Sequence, residues 1–197
     1  MPVVMGLGNP GARYRRTRHN AGFRVVELLV GRWAARSVGA PSPARFRAWA
    51  ASPEGRSVTL LEPLTFMNAS GEALLEWAGP ERADPAGLLV VCDDIYLPVG
   101  TLRMRRSGSP GGHRGLESVE AALGTRNYAR LRIGVGAAPS AADTKEHVLT
   151  PPEPDEAERF GTSLRRAADA VECWLREGIN EAMNRFNARK TKEVTQE

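Results

Sequence analysis

Cysteine, lysine and histidine are scarce in this 197-residue chain: two, three and three copies respectively. Two cysteines exclude a disulfide framework. Cys92 closes an apolar run and Cys173 sits in a helical pattern, so both read as buried thiols. The histidines, His19, His113 and His147, share no metal-ligand spacing, and no metal or cofactor is expected from them. No apolar run approaches the roughly 20 residues of a membrane span, and the first residues carry no signal-peptide pattern. The expectation is a cytoplasmic protein without membrane contact. No internal repeat is visible. The hydrolase elbow G-x-S-x-G is missing too, since Ser107-Gly108-Ser109-Pro110-Gly111 only looks like one and follows no predicted strand.

What is present is an ordinary globular composition, 42% apolar and 25% charged. The length suits one domain with a sizeable core, expected over residues 1–189, with a polar tail at 190–197 that frays. The net charge of +4 is unevenly spread. Residues 13–24 hold five arginines and no acid, and residues 103–132 hold seven arginines against two glutamates. Each segment carries +5, leaving −6 for the rest of the chain, a pattern that suits a polyanionic partner. An arginine-rich genome explains arginine in place of lysine; it does not explain the scarcity of acids in the same two segments.

Strand signals fall at Val3–Met5, Arg45–Ala51, Ser57–Leu61, Leu88–Cys92 and Arg130–Val135. Helix signals fall at Phe23–Arg36, Ser70–Ala78, Leu116–Leu123 and from Asp155 to about Asn187, with a break at Gly178. This alternation predicts an α/β fold: one domain, a largely parallel mixed sheet flanked by helices, and C-terminal helices packed on it.

The first strand runs into Gly6-Leu7-Gly8-Asn9-Pro10-Gly11. Read as G-x-G-x-x-G, this is a dinucleotide fingerprint, and Glu27 lies near the distance expected of a ribose-binding acid. The context fails. Residues 12–20 have no apolar helical face, Pro10 stands where a helix should begin, and Glu27 falls inside a helical pattern. The alternative is a glycine loop that carries Asn9, Tyr14, His19 and Asn20.

Ligands of open α/β sheets bind beyond the carboxyl ends of the strands. Asn9 and His19 follow the first strand, Asn68 follows the Ser57–Leu61 strand, and Asp93 and Asp94 follow Leu88–Cys92. A histidine oriented by a carboxylate acts as a general base. With no protein nucleophile or metal beside it, such a pair activates water, and hydrolysis is the natural reaction. Each residue also has a plainer role: Asn9 as a turn former, Asn68 as a loop residue before a helix capped by Ser70, Asp93 bonding its own loop, His19 as a buried structural histidine.

These segments together resemble the bacterial-type peptidyl-tRNA hydrolases. The opening loop with Tyr14 and Thr17-Arg18-His19-Asn20-Ala21-Gly22-Phe23 matches that family's first signature. Thr65-Phe66-Met67-Asn68-Ala69-Ser70-Gly71, then Asp93-Asp94 with Leu97-Pro98 and Gly100, then Gly111-Gly112-His113 with Gly115-Leu116 follow in the family's order. The resemblance implies an enzyme that hydrolyses the ester between a peptide and the 3′-terminal ribose of tRNA. It implies His19 as the base, Asp93 as its orienting carboxylate and Asn9 as the reader of the peptide backbone. It also implies Tyr14, Phe66, Asn68 and Arg114 as site-lining residues, and Arg103, Arg105 and Arg132 as receivers of tRNA phosphates. A monomer with no obligate protein partner is expected. Two positions depart from the family: Arg114 stands where asparagine is usual, and Tyr96 where an acid is common. Arg114 leaves a non-catalytic RNA-binding relative open as the alternative, and a hydrolase of some other small ester is a third reading.

Overall fold

The computed structural model describes residues 1–39, 42–79 and 84–187. The expected tail at 190–197, and the last two residues of the expected domain, lie outside that range. Seven strands form one mixed sheet. They are β1 (Val3–Gly6), β2 (Arg36–Val38), β3 (Phe46–Ala51), β4 (Val58–Pro63), β5 (Leu88–Asp94), β6 (Leu102–Arg105) and β7 (Ala129–Gly134), in the spatial order β2-β3-β4-β1-β5-β7-β6. The central β4, β1, β5 and β7 run parallel, and β2, β3 and β6 are antiparallel additions at the two edges.

The central strands are apolar runs because both faces are covered; every residue of β1, β4 and β5 is buried. Helices α1 (Ala21–Arg32) and α5 (Pro154–Phe186) share a core with Val4, Leu60, Val91 and Leu131. Helices α2 (Ser70–Ala78) and α3 (Arg114–Leu123) pack on Met5, Leu61, Val90 and Cys92, the residues of opposite parity. A short α4 (Thr144–Val148) precedes α5. Among the described residues no helix is long and apolar enough to cross a membrane. Both thiols, Cys92 and Cys173, are free and buried, as expected.

Four elements differ from the sequence expectation, one of them the short α4, which no helix signal marks. The first helix ends at Arg32 rather than Arg36, because Ala34 turns to φ 46° and Arg36–Val38 then pairs with Ala48–Ala50. Strand β2 is exposed at all three residues, so it has no apolar pattern to betray it. Strand β6 alternates buried and exposed, but over only four residues. The break at Gly178 is real: its φ of 83° lies in the region that favours glycine, and α5 bends there.

Candidate active site

The carboxyl ends of β1, β4 and β5 open into a cavity of about 600 Å³. Its lining includes Asn9, Tyr14, His19, Phe66, Asn68, Asp93, Arg114 and Arg132, so eight of the ten site residues expected from sequence converge on one space. Arg103 and Arg105 lie outside it, on the exposed positions of edge strand β6, in register with Arg132 and Arg130.

At its centre, Asp93 is the penultimate residue of β5 and almost wholly buried. His19 comes from a single helical turn, Arg18–Asn20, between β1 and α1. Its Nδ1 lies 2.8 Å from Asp93 Oδ1. The same oxygen lies 3.1 Å from Nε2 of His113, which the sequence marks only as part of a motif. The two rings are tilted at 44° with centroids 5.1 Å apart.

The tautomers follow from the hydrogen bonds. His113 is the N-cap of α3: its Nδ1 accepts from the backbone N–H of Gly115 (3.2 Å) and Leu116 (3.3 Å). An accepting Nδ1 carries no proton, so the proton of His113 is on Nε2, where it donates to Asp93. Both nitrogens of His113 are therefore engaged. His19 donates from Nδ1 to Asp93, which leaves its Nε2 lone pair available to take a proton. Burial pushes the His19 pKa down, but the charge and hydrogen bond of Asp93 outweigh it and raise the pKa above 6.5. Asp93 itself is pushed up by burial, yet the two histidines hold it far below the usual carboxylate range.

The ligand atoms of His19, Asp93 and His113 lie within 4.8 Å of one another, close enough for a metal ion. Sequence spacing does not show this, because the three side chains come from separate parts of the chain: a short helical turn, the end of β5 and the N-cap of α3. The pattern of donors and acceptors is complete with protons alone: each imidazole N–H ends on Asp93 Oδ1.

Asn9 is fixed from three sides. Its N–H donates to Asn20 Oδ1 (2.9 Å), its carbonyl accepts from Asn20 Nδ2 (3.0 Å), and its Oδ1 accepts from Met67 N–H (2.9 Å). That last bond leaves the Asn9 amide N–H₂ to donate into the cavity, where it suits a carbonyl oxygen. Tyr14 lines the wall with the Arg13 guanidinium 4.5 Å from its ring centre. Phe66 and Tyr96 are large exposed rings at the mouth, 59% and 72% accessible.

The basic segments divide on inspection. Arg18 is not a surface cation: it is buried and bonds Glu156 Oε2 (2.8 Å), Thr150 Oγ1 (3.0 Å) and the Pro151 carbonyl (2.6 Å). Arg130 is also buried and holds the carbonyls of Gly108 and Arg126. Arg132 pairs with Asp94 (3.2 Å) and donates to the carbonyls of Ser109 and Pro110, bracing the loop that carries His113. Arg13, Arg15, Arg16, Arg103, Arg105, Arg106 and Arg114 remain exposed, as does Arg126, which pairs with Glu120.

Comparison with known proteins agrees with this geometry. The family model described as peptidyl-tRNA hydrolase matches residues 3–194. A peptidyl-tRNA hydrolase of Synechococcus sp. (strain JA-3-3Ab) is 46% identical over 194 residues, covering 95% of this chain and 83% of its own. That of Rhodopirellula baltica is 40% identical over 190 residues, covering 95% and 98%. The crystal structure of peptidyl-tRNA hydrolase from Acinetobacter baumannii superposes with a TM-score of 0.88 at 31% identity, covering 95% of each chain.

Proposed function

The chain belongs to the peptidyl-tRNA hydrolase family, and from that premise we propose how its side chains divide the work of cleaving the ester between a peptide and the 3′-terminal ribose of tRNA. His19 Nε2 takes a proton from water as the water oxygen attacks the ester carbonyl. Asp93 holds the ring in the right tautomer and stabilises the imidazolium that forms. The tetrahedral intermediate collapses by breaking the bond to the ribose 3′ oxygen. That oxygen leaves with the proton from His19, giving free tRNA and a free peptide carboxyl group. His113 takes no proton, because both its nitrogens are occupied; it positions Asp93.

The Asn9 amide donates to a peptide carbonyl beyond the ester. An aminoacyl-tRNA lacks that carbonyl and has a free amine in its place, so it forfeits the bond. Asn68, Tyr14, Phe66 and Arg114 line the space for the acyl group and terminal nucleotide, and Arg103 and Arg105, with Arg132 behind them, face the tRNA phosphates. The enzyme acts as a cytoplasmic monomer with no cofactor or metal and no obligate protein partner; a sedimentation mass of one chain tests the first of these.

The observation that carries this reading is the 2.8 Å contact between His19 and Asp93 on the wall of a cavity rimmed by exposed arginines. Purified protein is expected to release an N-blocked peptide from peptidyl-tRNA, and His19→Ala to lose about 10²–10⁴-fold in kcat/KM. Wild-type turnover in that variant refutes His19 as the base. The intact His19–Asp93 pair speaks against the non-catalytic relative, which predicts tRNA binding with no release from any peptidyl substrate.

A further inference from the structure

Building on the hydrolase reading, we propose that Arg114 grips the phosphodiester on the 5′ side of the terminal nucleotide, so that substrate is selected by a charge one sugar away from the ester that is cleaved.

Arg114 lines the catalytic cavity and follows His113 directly in sequence. Most other charges at the cavity are engaged, although Arg13, which stacks on Tyr14, and Lys145 also line it without a hydrogen bond or ion pair among the described residues. Asp93 accepts from two imidazoles. Asp94 accepts from Arg132 and from the Tyr96 N–H. Arg132 is spent on Asp94 and two loop carbonyls. Arg114 is exposed and, among the described residues, makes no hydrogen bond or ion pair, although Glu117 lies three residues further along the same helix. The cavity thus has, one residue along the chain from His113, a cation without a hydrogen-bond or ion-pair partner among the described residues.

Stability does not account for that cation. Arg114 is the first residue of α3, at the end where the helix dipole is positive and where acids, not cations, are favoured. An arginine there adds like charge to like, and the fold supplies no neutralising contact among the described residues. An incoming anion supplies it. The substrate carries one in the right place: the terminal ribose bears the scissile ester on its 3′ oxygen and a phosphodiester on its 5′ oxygen. A guanidinium matches a phosphate with two parallel N–H donors. An asparagine at this position would bring no charge to that contact.

The test compares two minimal esters: N-acetylaminoacyl adenosine with a free 5′ hydroxyl, and the same compound with a 5′ methyl phosphodiester. For the wild type, kcat/KM should be about tenfold or more higher on the phosphodiester, through KM, because one charge-assisted contact is gained. Arg114→Asn should remove that ratio, Arg114→Lys should retain most of it, and Arg114→Glu should invert it. On whole peptidyl-tRNA, Arg114→Asn should make the fall of log(kcat/KM) with log salt shallower by about 0.7. An equal ratio in wild type and Arg114→Asn overturns the inference. So does a loss of kcat of the same size on both esters, which places Arg114 at the ester itself. Calorimetric binding of adenosine 5′-methylphosphate separates this inference from the reading beneath it. If the wild type fails to release peptide from whole peptidyl-tRNA but binds that product through Arg114, the hydrolase reading fails and the phosphate contact stands. If binding is also indifferent to Arg114, both fail.

Discussion

One oxygen of Asp93 takes hydrogen bonds from two imidazoles, and the two rings are not equivalent. The helix cap on His113 Nδ1 leaves that ring its Nε2–H to donate, whereas His19 uses only Nδ1 in the pair. His19 has a raised pKa only because the charge on Asp93 outweighs burial. Asp93→Asn keeps the shape and deletes the charge, so burial then dominates and the His19 pKa falls below 6.5. The acid limb of the kcat/KM profile should move to lower pH while the plateau drops about 10²–10⁴-fold. A limb that stays in place shows that another group sets it. The neighbouring Cys92 offers no competing nucleophile, since burial pushes its thiol up to about 12.

At the scale of elements, the opening glycines place the site by closeness rather than by flexibility. A Cβ on Gly22 would lie 2.3 Å from Leu7 N and from Val91 O, and one on Gly6 would lie 2.4 Å from the Gly22 carbonyl. These two residues let α1 sit against β1 and β5, which sets His19 beside Asp93. Gly22→Ala should therefore cost about 1–3 kcal/mol in urea unfolding and reduce turnover, because the helix must back away from the sheet. An unchanged unfolding midpoint would show that the contact is slack. The same elements show what a sequence can disclose. The buried parallel strands and amphipathic helices were legible, since burial on both faces, or on one stripe, writes itself into apolar patterning. Asp93 and His19 were legible because strand ends are where such sheets place polar groups. His113 was not, because its role depends on a cap and on a carboxylate 20 residues away. The fates of Arg18 and Arg130 were equally hidden: their partners come from distant segments, and charge counting treats a buried arginine like an exposed one.

For the whole molecule, pH acts through groups far from the cavity as well as in it. Glu62 on β4 is fully buried and paired across the strands with half-exposed Arg47 at 2.6 Å. Burial raises its pKa from 4.5 to about 7, against the opposing pull of Arg47. Between those values the folded state binds more protons than the unfolded one, so stability falls as pH rises. His19, also raised, pulls the same way in a window that starts at 6.5. Glu62→Gln should flatten the decline below pH 6.5, leave a smaller one above it, and gain about 1–3 kcal/mol at pH 8. Denaturation midpoints at pH 5, 6.5 and 8 measure this; a variant that tracks the wild type throughout shows Glu62 ionised in the fold.

The anchor of Arg18 sets an order on synthesis. Arg18, the residue before His19, is tied to Glu156, 138 positions later, and to Thr150 and Pro151. Contacts this distant close only after the intervening chain has been made. A growing copy of this protein is itself a peptide esterified to tRNA. The Arg18 anchor beside His19 stays open until more than three-quarters of the chain has been made, so each molecule closes it near the end of the time in which it is itself a peptidyl-tRNA.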